Sequence, residues 1–224
     1  EMMERGLSRV GLRPEDTLGR YPHQLSGGQR QRIAVARALI LRPKLLIADE
    51  PVSMVDASLR SSLLRSLREM NQELEMPILY ITHDLTTAYH VSDYIAILYH
   101  GSVLEAGSVD AIIRDPKHPY TQLLVGSIPW PDPDLSWGGT EHVLPKGVSF
   151  DETATGCKYV LRCPNAVEAC AKERPPLYRL SDGRAVACRQ FATGEELSGV
   201  DLGTLFGQKS PAARPQVSGL AAEA

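Results

Sequence analysis

Leu25-Ser26-Gly27-Gly28-Gln29-Arg30-Gln31-Arg32 runs without a break into Ile33-Ala34-Val35-Ala36-Arg37-Ala38-Leu39-Ile40-Leu41. This junction constrains the chain more than any other stretch. Ser26 reads as a helix N-cap, because its hydroxyl accepts a first-turn N–H that has no intrahelical partner. Gly27 and Gly28 lack a Cβ and let another molecule's phosphates come close to the backbone. A helix N-terminus offers free N–H groups and a partial positive charge, and anions bind there. The helix is expected to end before Pro43, whose ring disfavours helical backbone in the preceding residue. Taken alone, Ser-Gly-Gly before a helix describes an ordinary capped helix, so the neighbouring residues have to decide.

Leu45 to Ala48 is a short, fully apolar run, as expected for a parallel strand buried on both faces. It ends on Asp49 and Glu50, at the carboxyl end where open α/β sheets place ligands. Ser53-Met54-Val55-Asp56 follows, with Asp56 placed to cap the next helix. Leu59, Leu63, Leu67, Met70 and Leu74 form an apolar stripe near helical spacing, and Arg60, Arg65 and Arg68 fall on its solvated side. Ile78-Leu79-Tyr80-Ile81 reads as a second buried strand, and His83 follows it. Earlier in the chain, Met3, Leu7 and Val10 predict a short helix broken by Gly11 and Pro14. His23 reads as a loop side chain.

Four of these strings, in this order and spacing, resemble the motifs of ATP-binding-cassette (ABC) ATPases. They are the signature (Leu25–Arg32), the Walker B strand (Leu45–Pro51), the D-loop (Ser53–Asp56) and the switch histidine (Ile81–Asp84). The resemblance implies an α/β nucleotide-binding domain that pairs head to tail with a second one. It implies that Ser26, Gly27, Gly28 and Gln29 contact the ATP held by the partner domain. Asp49 would hold Mg²⁺ through water, Glu50 would orient or deprotonate the attacking water, and His83 would contact the γ-phosphate. Asp56 would link the two sites. Phosphoryl transfer depends on positioning and charge neutralisation, which suits such a set of groups. The D-loop departs mildly from the Ser-Ala-Leu-Asp of many relatives. The larger departure is that residues 1–224 contain no G-x-x-x-x-G-K-[ST] P-loop, and no glutamine loop precedes the signature. The expectation is the C-terminal part of a longer ATPase, with a degenerate subunit that donates only its signature as the alternative. On its own the chain is expected to be inactive.

Tyr94 to Tyr99 and Ser102 to Glu105 flank His100-Gly101, a hairpin signal. Ser108 is placed to cap a helix through Ile113, and Asp115-Pro116 marks a boundary. His118-Pro119-Tyr120-Thr121-Gln122-Leu123-Leu124 then resembles the opening of the C-terminal extension of oligopeptide and dipeptide importer ATPases. His118 itself reads as a packing residue. Residues 129 to 149, with Trp130 and Trp137, are rich in Pro, Gly and Asp and read as a linker or irregular loop. The expected organisation is a partial ABC domain over 1–113, an importer-type extension over 114–194, and a disordered tail over 195–224.

The four cysteines are confined to Cys157-x5-Cys163-x6-Cys170-x17-Cys188. Four thiolates can hold a [4Fe–4S] cluster or a tetrahedral zinc, and free thiols or disulfides remain the third reading. The spacing is unlike the paired C-x2-C of zinc ribbons. It resembles a segment of some peptide-importer ATPases in which a [4Fe–4S] cluster is known, and that resemblance favours the cluster in this small irregular domain.

A net charge of −3 gives no sign of a nucleic-acid partner, and no apolar run reaches membrane-span length. The family resemblance therefore implies a peripheral subunit on the cytoplasmic face of the membrane. It would dock on membrane permease subunits, pair with an identical or different ATPase subunit, and serve an external solute-binding protein indirectly. The expected function is to energise uptake of peptides or related solutes by ATP hydrolysis. The rivals are a non-hydrolysing regulatory or assembly module, and an ABC ATPase of DNA repair or translation. The last of these predicts long heptads or a basic face, and the sequence has neither.

Overall fold

The computed structural model describes residues 1–128, 155–198 and 201–206, the side chains of residues 57 and 58 excepted. It divides into two compact units, Glu1–Ser92 and Asp93–Ala224. The architecture is mixed α/β, with a parallel sheet in the first unit and an antiparallel sheet in the second.

In the first unit, α1 (Met2–Arg9) lies against α3 (Gly27–Ile40), with the short α2 (Pro14–Thr17) between them in sequence. Gly6 faces the Ile40 side chain, which a Cβ there would meet at 3.2 Å and which would have to give by a few tenths of an ångström. Arg32, only 8% exposed, donates from Nη1 to the Gly11 carbonyl at 2.9 Å just past the end of α1, where a cation is favourable. Leu7 and Val10 are buried as the helical spacing predicts, but Met3 is exposed. The stripe of α4 (Ala57–Leu74) is buried at Leu63, Leu67 and Met70, while Leu59 and Leu74 at its ends are partly open. Each fully buried side chain of this size contributes roughly 1.5–3 kcal/mol. Asp56 occupies the N-cap position of α4, yet its carboxylate makes no cap bond, contrary to expectation.

β1 (Leu46–Asp49) and β2 (Ile78–Ile81) pair in parallel, Leu46 opposite Ile78 and Asp49 opposite Ile81. The expectation that these strands are buried on both faces fails. Leu46 and Ala48 are buried, whereas Ile47 is 61% and Leu79 52% exposed. Alternate side chains of a strand point to opposite faces, and within this unit only one face is covered. After β2, Asp84 caps α5 (Leu85–Val91), its Oδ1 accepting the Thr86 N–H at 2.9 Å.

In the second unit, β3 (Tyr94–Tyr99) and β4 (Ser102–Ser108) form the expected hairpin. His100 and Gly101 both have positive φ, 45° and 72°, which suits a two-residue turn between twisted strands. Ser108 caps α6 (Val109–Arg114) by accepting the Ala111 N–H. Then come α7 (Pro119–Gly126), α8 (Glu168–Lys172), β5 (Leu177–Arg179), β6 (Ala185–Val186), β7 (Glu195–Leu197) and α9 (Leu202–Leu205). The sheet order is β3-β4-β6-β5-β7. Because β4 pairs with β6, the hairpin packs with the later residues, and the division falls at 92/93 and not at the motif boundary of 113/114. The expected disordered tail gives way over 195–206: β7 pairs with β5, and Leu197 and Leu205 are buried. The linker read at 129–149, with Trp130 and Trp137, and the tail beyond 206 lie outside the described residues. No helix among the described residues is long and apolar enough to cross a membrane.

Glu105, fully buried, is the polar knot of this unit. Its carboxylate accepts the backbone N–H groups of Lys117 at 3.1 Å and His118 at 3.0 Å and faces Arg184 Nη1 at 3.5 Å. Arg184 is held in turn by Asp182. Removing one partner of a buried charged network leaves the others desolvated and unpaired. Glu105→Ala is expected to destabilise the second unit by about 3 kcal/mol, and Glu105→Gln by less, because the amide oxygen still accepts. Urea denaturation checks this, and equal stability of the alanine variant and the parent would contradict it.

Candidate functional site

At the start of α3, Ser26 Oγ accepts the Gln29 N–H at 3.2 Å, and Gln29 Oε1 accepts the Ser26 N–H at 2.9 Å. This reciprocal capping box occupies the Gln29 carbonyl and leaves the Ser26 O–H free to donate. The N–H groups of Gly27 and Gly28 have no acceptor within the helix. A Cβ on Gly28 would stand 3.0 Å from the Met54 carbonyl oxygen, so any larger residue would push the following loop away. Ser26, Gly27, Gly28, Gln29 and Asp56 together line one open cleft of about 390 Å³, with Met54 at its wall. The structure thus gathers the four signature residues expected to contact a nucleotide together with Asp56. Asp56, whose carboxylate makes no cap bond, lines this cleft.

Glu50, Asp49 and His83 belong to a second cluster, at the carboxyl end of the parallel strands. The Glu50 N–H donates to Ile81 O at 2.9 Å, extending the β1–β2 ladder by one bond. Its backbone then turns into the left-handed region at φ 44°, a conformation costing a non-glycine residue about 1–3 kcal/mol. The Glu50 carbonyl oxygen accepts from Gln31 Nε2 at 2.6 Å and from Ser53 Oγ at 3.0 Å. The Glu50 carboxylate meets His83 Nδ1 at 2.8 Å. Both side chains are largely open to solvent, so the pair itself adds little stability. Asp49 is exposed at the end of β1. A carboxylate and an imidazole in contact at a strand end can orient a water and neutralise charge on a phosphoryl group.

Gln31 is the residue that the sequence reading passed over. Its amide nitrogen binds Glu50 O, and its amide oxygen accepts the Met54 N–H at 3.2 Å. The signal was the spacing: Gln31 lies three residues after Gly28, on the helix face turned toward Met54.

In the second unit the four cysteines and His118 line one cavity of about 270 Å³. The Cys157 N–H donates to Cys170 O at 2.8 Å. Gly156 is required there, because a Cβ would lie 2.4 Å from the carbonyl oxygens of Cys170 and Ala171. The four are free thiols. Burial pushes the Cys157, Cys163 and Cys188 thiols up, which keeps them protonated in the absence of a compensating charge. His118 is 2% exposed, and burial lowers its pKa to about 4. Its neutral Nδ1 accepts the Tyr120 N–H at 3.0 Å, capping α7, so the packing role read from the sequence goes with a place on the cavity wall. Among the described residues no group of three or more His, Cys, Asp or Glu converges as a single metal ion requires.

Comparison with known proteins gives two family matches. Residues 1–53 match the ABC transporter family, and residues 104–170 match the oligopeptide/dipeptide transporter C-terminal region. The oligopeptide transport ATP-binding protein OppF of Escherichia coli is 41% identical over 181 residues, covering 79% of this chain and 53% of that protein. OppF of Haemophilus influenzae is 39% identical over 189 residues, covering 84% and 57%. The chain therefore spans little more than half the length of these relatives. Among solved structures, the dimeric post-hydrolysis state of the ATP-binding cassette MJ0796 bound to ADP and Pi matches with a TM-score of 0.44. That match is 31% identical and covers 47% of this chain and 44% of the other.

The capping box yields a direct prediction. Ser26→Ala removes the acceptor for the Gln29 N–H and is expected to cost about 1 kcal/mol of stability in the first unit. Thermal or urea unfolding reads the loss; Ser26→Asp, which keeps a cap oxygen, is expected to restore most of it.

Proposed function

The chain belongs to the ABC transporter ATP-binding proteins, in their oligopeptide/dipeptide branch, and from that premise we propose that it forms part of the ATP-hydrolysing subunit of an importer for peptides or related solutes. The observation that carries the reading is the cleft where Ser26, Gly27 and Gly28 open a helix beside Asp56. Free N–H groups, a spare hydroxyl and a helix N-terminus suit the γ-phosphate of an ATP held by a second ATPase subunit. Asp56 would carry the state of one site toward the other. At the strand ends Glu50 would orient or deprotonate the attacking water, with His83 beside it to stabilise charge on the phosphoryl oxygens. The exposed Asp49 carboxylate is a hard oxygen donor suited to hold Mg²⁺ through water, and the ion would neutralise phosphate charge. The subunit would sit on the cytoplasmic face of the membrane against permease subunits, which would receive solute from an external binding protein. The uncovered apolar face of β1–β2 fits a cassette in which further polypeptide packs on the sheet.

The reading extends to the cysteine cavity, as the site of a [4Fe–4S] cluster. Cys157, Cys163, Cys170 and Cys188 would be its ligands. The wall of the cavity carries four thiols and no carboxylate, a donor set that suits an iron–sulfur cluster. The cluster would act as a staple for a segment whose elements are only two to five residues long between Val160 and Leu197. The thiols raised by burial would become thiolates as ligands, and their charge would be balanced by the iron.

Two measurements test these readings. In the assembled ATPase, Glu50→Gln is expected to keep nucleotide binding and to lower turnover roughly 100-fold or more, because an amide holds a water but takes no proton. Unchanged turnover would remove Glu50 from the chemistry. Anaerobically prepared protein is expected to carry iron and sulfide in about equal amounts, close to four of each per chain. Cys163→Ser should lower that content and make residues 155–198 easier to digest. Stoichiometric zinc, or no metal, would overturn the cluster.

A further inference from the structure

Among the described residues, Gln31 is the side chain whose two polar ends both reach the segment linking the strand-end acid to the cleft. Its amide N–H is bonded to the Glu50 carbonyl at 2.6 Å and more loosely to Ser53 Oγ at 3.4 Å. Its amide oxygen takes the Met54 N–H at 3.2 Å. Glu50 is the residue in the left-handed conformation, and its carbonyl would otherwise depend on contacts from within its own turn, the Ser53 N–H and hydroxyl. Met54 in turn supplies the carbonyl against which Gly28 is packed. Ser26 and Gly28 sit at the start of α3, and Gln31 lies one turn further along the same helix. A shift or rotation of the α3 N-terminus therefore reaches the Glu50 backbone through a single rigid amide.

We propose that Gln31 is a positioning residue, which aims the Glu50 carboxylate and couples it to the phosphate-facing start of α3. This rests on the nucleotide reading given above. When a partner's nucleotide engages Ser26 to Gly28, α3 settles into one position. Gln31 passes that position to the Glu50 main chain, and the Glu50 side chain is brought to bear on its own site through its contact with His83 Nδ1. Assembly and chemistry are separable in this arrangement: the contacting groups precede Gln31 on the helix, and the water-activating group lies across its amide.

Two variants separate the ends of the amide. Gln31→Met keeps length and helix propensity and removes both bonds. Gln31→Glu keeps an acceptor for the Met54 N–H and loses the donor to Glu50 O. In the assembled ATPase both are expected to lower kcat roughly tenfold or more, while KM for ATP and ATP-dependent pairing stay within about twofold. In the folded chain, ¹⁵N-histidine spectra are expected to show the His83 ring signal displaced in both variants, because the Glu50 carboxylate has moved. Unchanged kcat, weaker pairing at unchanged saturating turnover, or an undisturbed His83 signal would each overturn the proposal. Glu50→Gln in the same assembly is the control. If it leaves turnover intact, the nucleotide reading fails and Gln31 with it; if it stops turnover while the Gln31 variants run normally, only this inference fails.

Discussion

The candidate site of the first unit depends on how Glu50 is held. Its N–H closes the parallel ladder on Ile81, its carbonyl is taken by Gln31 and Ser53, and its carboxylate meets His83. Three elements, β2, α3 and the loop after β2, thus share one residue. The left-handed backbone at that residue is tolerated because the groups around it over-determine its position. The same turn delivers Met54 to Gly28 and Asp56 to the cleft, so the cleft and the strand-end acid are two consequences of one local geometry.

Much of this was legible in the residues. Ser26 announces its cap, His100-Gly101 its turn, and Ser108 the start of α6, because each acts within three residues of itself along the chain. Local hydrogen-bond chemistry of that kind survives in any context. Glu50 and His83 were each legible as residues at a strand end, but their contact was not, because it depends on β1 and β2 lying side by side. What sequence could not supply was which face of those strands is covered. Ile47 and Leu79 are apolar and look buried, but burial depends on what packs against them, and among the described residues of this unit nothing covers that side.

The later residues fail the reader for a different reason. β5, β6 and β7 are two or three residues long and carry no periodicity of their own. They are strands because β4 offers an edge to Ala185 and Val186, and that edge is 80 residues away in sequence, as Glu105 pairs with Val186 at roughly that separation. Gly and Ser around residue 198 look like a tail until Leu197 and Leu205 are seen to be buried. The cysteines were visible as a set, but their disposition around a shared cavity was not. It depends on Gly156 letting the Cys157 segment touch the backbone of Cys170.

The central claim is that the start of α3 contacts a nucleotide held by another subunit. An ATP analogue with a photoreactive group on the γ-phosphate, irradiated in the assembled ATPase and mapped by mass spectrometry, tests it most directly. The account predicts label on the peptide containing Ser26 to Gln29, dependent on pairing and lost on dilution to single subunits. Label that appears elsewhere in the assembly while residues 26–29 remain unmodified would contradict it.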